Sequence, residues 1–281
     1  MEDQKMDNLL NLAVDSTENE RRKSGNLNVG YSGENGMWDV VVKYNGDIMA
    51  LSGEEIRIVP LLGGYAIVTL PERRLKEFAD QPQIEFVEMP KRLYFQVNQG
   101  NEASCIRSVQ KELGDGMGLS GRGVLVGIVD SGIDYRHPDF RNEDGSSRIL
   151  KLWDQSAPAE AGRPPEGYLR GAEYSKSEID RALALPEGEG REIVPQQDIS
   201  GHGTAVLGIA AGNGRASEGV YRGVAYESEI IAVKMGAPRE NSFPRTTEIM
   251  QGVDYLVRQA LSLGKPMSIN LSFGNNYGSH R

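Results

Sequence analysis

The alternation of apolar and polar positions divides the chain into two unlike halves. In the first, apolar residues come in short blocks at 38–44, 55–60, 64–70 and 83–88, which read as strands. The turn signals Asn45-Gly46 and Gly63-Gly64 separate them. Pro71 opens a short helix that carries Leu75 and Phe78 on one face. Residues 92–95 run extended after Pro90. Upstream, the chain is polar, with one amphipathic helix expected over 9–22 through Leu9, Leu10, Leu12 and Ala13. Together these make a small α+β unit over 1–96.

Residues 97–121 read as a linker with one amphipathic stretch at 106–113. Beyond it the pattern changes to continuous apolar runs at 124–129, 230–233 and 267–271, as in strands buried on both faces of a parallel sheet. Helices are expected over 204–211 and 246–263. Strand, helix, strand, helix, strand predicts a wound α/β sheet over 97–281. The stretch 141–197, rich in Pro, Gly, Glu and Ser, reads as a long surface insertion with one helix at 177–185. No internal repeat interrupts this division.

Composition narrows the function classes. The 281 residues hold 31 Lys+Arg against 40 Asp+Glu, a net charge of −9, with 38% hydrophobic and 25% charged residues. That is neither a disordered tail nor a membrane protein, and no run approaches the ~18 apolar residues of a membrane span. The acidic balance argues against nucleic acid as a partner, because backbone binding needs clustered Lys and Arg. One cysteine, Cys105, and three histidines exclude a disulfide framework and a Cys-based zinc cluster, so no metal and no cofactor is expected. Met-Glu-Asp-Gln-Lys at the start lacks a basic region followed by an apolar core. A cytoplasmic location is therefore expected, with a spore-associated one as the alternative.

Asp130 follows the buried run 124–129 directly, at the strand end where open α/β sheets place ligands. Alone it reads as the start of an Asx turn. His202 stands between two glycines in Ser200-Gly201-His202-Gly203-Thr204, at the start of an apolar helix. A helix N-terminus disfavours an imidazolium, so a His acting as general base there needs a partner carboxylate. A lone His is more often structural.

Taken together, Asp130-Ser131-Gly132-Ile133-Asp134, His137-Pro138-Asp139-Phe140, Gly201-His202-Gly203-Thr204 and Asn270-Leu271-Ser272-Phe273-Gly274, in that order, resemble the subtilisin-like serine proteases, or subtilases. The subgroup that looks most similar is the clostridial Csp-type germination proteases. The resemblance implies a subtilisin-like parallel sheet with helices on both faces, of which only the N-terminal part is present, preceded by a propeptide-like domain. It implies that Asp130 orients His202 and that His202 serves as base to a serine nucleophile. Ser272, Phe273 and Gly274, with Lys234, Met235 and Gly236 on the opposite wall, would bind an extended peptide substrate. Asp134 and Asp198 match loop positions with structural hydrogen bonding, and His137 a turn histidine; His280 has no motif around it.

The departures are as informative. The segment carrying the family's nucleophilic serine is absent, as is the loop with its oxyanion asparagine; Asn213 follows the histidine helix and stands in the wrong place. The expected partners are therefore a protein or peptide substrate, the chain's own propeptide as intramolecular chaperone and inhibitor, and a missing C-terminal segment, with no membrane. Residues 1–281 alone are expected to be inactive, and self-cleavage of the full protein is expected near Gln96. The alternative is a non-catalytic pseudoprotease or regulatory binding protein of the same fold.

Overall fold

The computed structural model describes residues 5–24, 26–91, 94–95, 110, 118–158, 163–236 and 244–274. In the N-terminal unit the helices are α1 (Asn8–Asp15), α2 (Glu18–Lys23) and α3 (Leu75–Ala79). The strands are β1 (Tyr31–Ser32), β2 (Met37–Tyr44), β3 (Arg57–Leu61), β4 (Tyr65–Pro71) and β5 (Ile84–Glu88). Instead of one helix over 9–22 there are two, because the Thr17 side chain and Glu20 form a capping box that starts α2 afresh. The sheet is antiparallel in the order β3–β4–β2–β5, with β1 beside the start of β2.

Both faces of this sheet are covered, which is why β2 and β4 lack a polar face. On one side Trp38, Val40, Val42, Val68 and Leu70 pack with Leu10 and Ala13 of α1 and Leu75 and Phe78 of α3. On the other, the alternate residues Val41, Val59, Leu61 and Ile67 join the core of the second unit.

That second unit is built on β7 (Leu125–Asp130), buried throughout. Its other strands are β8 (Ile149–Asp154), β9 (Ala172–Ser175), β10 (Glu229–Lys234) and β11 (Met267–Leu271). The order is β11–β7–β10–β8–β9, parallel except for β9. Helices α4 (Lys176–Leu183) and α5 (Glu187–Ile193) follow β9. Helix α6 (His202–Ala211) covers one face of the sheet through Val206, Leu207 and Ala211. Helix α7 (Thr246–Leu263) covers the other through Tyr255 and Leu256. Gly127 of β7 lets α7 approach, since a Cβ there would meet Leu256 Cδ1 at 3.0 Å.

The stretch 141–197 is only partly the surface insertion expected from its composition. Ile149–Asp154 is a strand of the sheet, with Leu152 and Trp153 fully buried and two helices and β9 beyond it. Its mixed sequence, with Lys151 between apolar neighbours, hid the strand. A last pair of short strands, β6 (Tyr94–Phe95) and β12 (Phe273–Gly274), links the two units antiparallel. Among the described residues no helix is long and apolar enough to cross a membrane.

Candidate active site

The carboxyl end of β7 delivers Asp130 and the first turn of α6 delivers His202. Nδ1 of His202 lies 2.7 Å from Oδ1 of Asp130, both side chains buried. An ionised Asp130 requires Nδ1 to carry the proton, which leaves Nε2 of the neutral ring as the nitrogen able to accept one. The approach depends on glycine: a Cβ at Gly203 would lie 2.0 Å from the Gly132 carbonyl oxygen and 3.0 Å from Asp130 Oδ1. Gly201, at the helix N-cap, has φ +72° and offers no side-chain cap.

Asp130 Oδ1 also accepts from Ser131 N at 2.7 Å, whereas Oδ2 is buried with no hydrogen-bond partner among the described residues. Burial therefore pushes the Asp130 carboxyl up, and the bonds from His202 and Ser131 offset this only in part. The Asp130 carbonyl accepts from Met235 N at 2.8 Å, tying β7 to the loop after β10.

The other residues singled out in the sequence fall on either side of Asp130 in strand order. Lys234 ends β10 beside Asp130; its Nζ donates to the Gln197 carbonyl at 2.9 Å and lies 3.9 Å from Asp154 Oδ2. Met235 is buried, and Gly236 N donates to Gln155 Oε1 at 3.2 Å. On the β11 side, Ser272 Oγ donates to Asn270 Oδ1 at 2.9 Å, and Phe273 and Gly274 pair with Phe95 and Tyr94 of the N-terminal unit. His137 caps a short 3-10 turn, its Nδ1 accepting from Asp139 N at 3.2 Å. His280, Gln96 and the 106–113 stretch apart from Gln110 lie outside the described residues. Among the described residues no group of three or more His, Cys, Asp or Glu could hold a metal.

The sequence reading missed the contacts that join the two units to each other. Asp39 of β2 accepts from Arg245 Nη2 at 2.9 Å, from Arg170 Nη2 at 3.1 Å and from Thr69 Oγ1 at 2.6 Å. Asp254 of α7 accepts from Leu62 N at 2.7 Å, from Tyr168 Oη at 2.6 Å and from Arg258 Nε at 2.7 Å. Except for Arg258, one helical turn from Asp254, these partners are far apart in sequence, and no local motif marks them.

A mostly parallel sheet covered by helices on both faces, with an Asp–His pair at its carboxyl edge, is preceded by an antiparallel unit whose last strand lies along β12. The model of the subtilase family matches residues 121–281, and the chain belongs to that family. Residues 4–91 match the Csp protease B prodomain. The structure is similar to that of the Clostridium perfringens CspB protease, with a TM-score of 0.53 and 36% identity over 64% of this chain and 34% of that one. Two curated relatives come from Bacillus subtilis. The minor extracellular protease Vpr is 25% identical over 160 residues, 57% of this chain and 15% of that protein. The major intracellular serine protease is 26% identical over 157 residues, 54% of this chain and 37% of that protein. The chain thus spans less than a sixth of the length of the first and a little more than a third of the second.

Proposed function

We propose that the full protein is a subtilisin-type serine endopeptidase in which Asp130 and His202 act on a serine carried by a segment outside residues 1–281. The observation that carries this reading is the 2.7 Å contact between His202 Nδ1 and Asp130 Oδ1, held at the carboxyl edge of the sheet. In such a reaction Nε2 takes the proton from the serine hydroxyl as it attacks the peptide carbonyl, then returns it to the leaving amine. Ser272–Gly274 on one side and Lys234–Gly236 on the other border the path of an extended substrate. The pairing of β6 with β12 supports the N-terminal unit as an inhibitor whose last strand occupies the substrate's place by strand addition.

Serine-directed fluorophosphonate labelling tests the reading. The full-length protein should be labelled on one serine beyond residue 281 and should hydrolyse peptides. Residues 1–281 alone should do neither, because neither Asp130 nor His202 is the attacking group. Labelling of the short chain on one of its own serines, or an inert full-length protein, would overturn it; the inert case would favour a binding protein of this fold.

A further inference from the structure

We infer that Asp198 is a positioning residue for the His202 base, a second carboxylate that fixes the histidine helix to the aspartate strand. The inference rests on the protease reading above.

The four N-terminal amides of an α-helix have no partner within it. In α6 the N-cap is Gly201, which has no side chain to supply one. The partners come from elsewhere. His202 N donates to Ser200 Oγ at 3.1 Å, Gly203 N to Ser131 Oγ at 3.0 Å, and Thr204 N to Asp198 Oδ2 at 2.8 Å. The fourth, Gly201 N, donates to Asp198 Oδ1 at 3.0 Å, and Ala205 N, bonded to the Gly201 carbonyl at 3.1 Å, is the first amide satisfied within the helix.

Asp198 anchors the other two acceptors as well. Its Oδ1 accepts from Ser131 Oγ at 2.7 Å, Ser200 Oγ at 3.2 Å and Gly201 N at 3.0 Å, and its Oδ2 also accepts from Thr204 Oγ1 at 2.7 Å. Thr204 Oγ1 in turn accepts from Asp134 N at 2.8 Å. Ser131 carries the link across: its backbone N donates to Asp130 Oδ1 while its hydroxyl donates to Asp198. One carboxylate thus ties the segment 130–134 to the segment 198–204, and the Asp130–His202 distance is set between those two ties.

The charge matters beyond the geometry. The helix N-terminus opposes a proton on His202, and an anion bound to the first-turn amides counters that field. The hydrogen bonds from Thr204, Ser131 and Ser200 overcome the effect of burial and hold the Asp198 carboxyl below its ordinary value, so it stays ionised. The other charged groups around this loop are Asp130 on the ring itself, Asp134, Arg136 and Arg191 across the polar pocket that Asp198 lines, and Lys234 on the Gln197 carbonyl. Arg136 is occupied by the Ala182 and Leu185 carbonyls and Arg191 by Glu187. No salt bridge joins a cation to Asp198 among the described residues; its carboxylate is shared between the helix amides and the Ser131, Ser200 and Thr204 hydroxyls.

The test uses the full-length protein, first shown to label and turn over, with Asp198→Asn, which keeps the size and removes the charge. Turnover should fall by about ten- to a hundredfold, as for a misplaced catalytic group, with KM within about twofold and the acid limb of the pH profile moved to lower pH. Ser131→Ala, which cuts the bridge but leaves Asp198 on Thr204, should lower turnover by less and move the limb little. Wild-type turnover and limb in Asp198→Asn would overturn the inference. Should that variant fail to fold, wild-type turnover in Ser131→Ala would overturn it alone. A parallel measurement separates this failure from that of the protease reading. In residues 1–281, the downfield Nδ1 proton signal of His202 should be lost on Asp198→Asn whether or not a nucleophile exists; its persistence unchanged would again overturn the inference.

Discussion

At the scale of the residue, the site rests on one short contact and on what surrounds it. Asp130 spends a single oxygen on both His202 and Ser131, and its other oxygen is buried without a partner among the described residues. Its orienting power therefore depends on the negative charge and on the Nδ1 tautomer it selects. Asp130→Asn in the full-length protein keeps the shape but presents an amide that selects the other tautomer. Turnover should drop by roughly 10⁴, as in the serine-protease triad, with substrate binding retained. His202→Ala should remove nearly all turnover. Steady-state kinetics on both variants checks this, and near wild-type turnover in either would sink the assigned roles. The Asp–His pairing could be read only from the order of four segments that resemble the subtilases; each local motif alone, a buried run ending in Asp-Ser-Gly and a His between two glycines, also fits a turn Asp and a structural His. The Asp198 network was visible only as a matching position. Its meaning lies in hydrogen bonds that join residues 67 and 6 apart, and no spacing encodes those.

At the scale of the element, glycines decide whether strand and helix can meet. β7 and α6 cross where Gly203 faces the Gly132 carbonyl, with no room for a side chain. Gly203→Ala should force the two apart, costing about 1–3 kcal/mol as an overpacked contact and lengthening the Asp130–His202 contact. Urea unfolding of residues 1–281 and histidine NMR would read the two effects. An alanine variant as stable as wild type, with its Nδ1 proton signal unmoved, would show that the crossing is not tight. The parallel strands β7 and β10 were legible as continuous apolar runs buried in the sheet, whereas β11, expected to be buried on both faces, ends the strand order of the described sheet and is exposed at Ser268 and Leu271. β8 was not legible, since Lys151 and its Pro- and Gly-rich neighbours masked a strand whose partner, β10, lies some 80 residues on. The break between α1 and α2 was missed for another reason: residues 15–23 are all polar and carry no periodic signal, and the Thr17–Glu20 capping box restarts the helix there.

At the scale of the whole molecule, the two units are fastened by a sheet face and by buried charge. Val41, Val59, Leu61 and Ile67 pack against α7 and the Trp153, Tyr168 and Tyr255 cluster. Beside them Asp39 bridges Arg170, from the stretch after β8, and Arg245, which opens α7 and is also held by Glu248. None of these contacts involves the chain near Gln96, so cutting there would leave them intact. The N-terminal unit of the full-length protein should therefore stay bound after self-cleavage. Asp39→Asn removes the charge shared by Arg170 and Arg245 and should loosen the complex by about 1–2 kcal/mol, roughly tenfold in affinity, since Arg245 keeps Glu248 and Arg170 reaches solvent. Burial raises the Asp39 carboxyl, but the pull of Arg170 and Arg245 and the Thr69 bond bring it below its ordinary value. A lowered folded pKa gives stability that is present above the unfolded value, about 3.9, and lost as pH falls through the folded one. Release should accordingly begin only below about pH 4, with no change between neutral and mildly acidic pH. Size-exclusion chromatography of the cleaved protein at a series of pH values, wild type against Asp39→Asn, measures this. Co-elution of the two units at pH 7 in the wild type and their partial separation in the variant is the expected result. A wild-type complex that falls apart at neutral pH would show that these contacts do not hold the units once the chain is cut, and a variant that holds as tightly as the wild type would show that the apolar face alone, not the ion cluster, keeps them together.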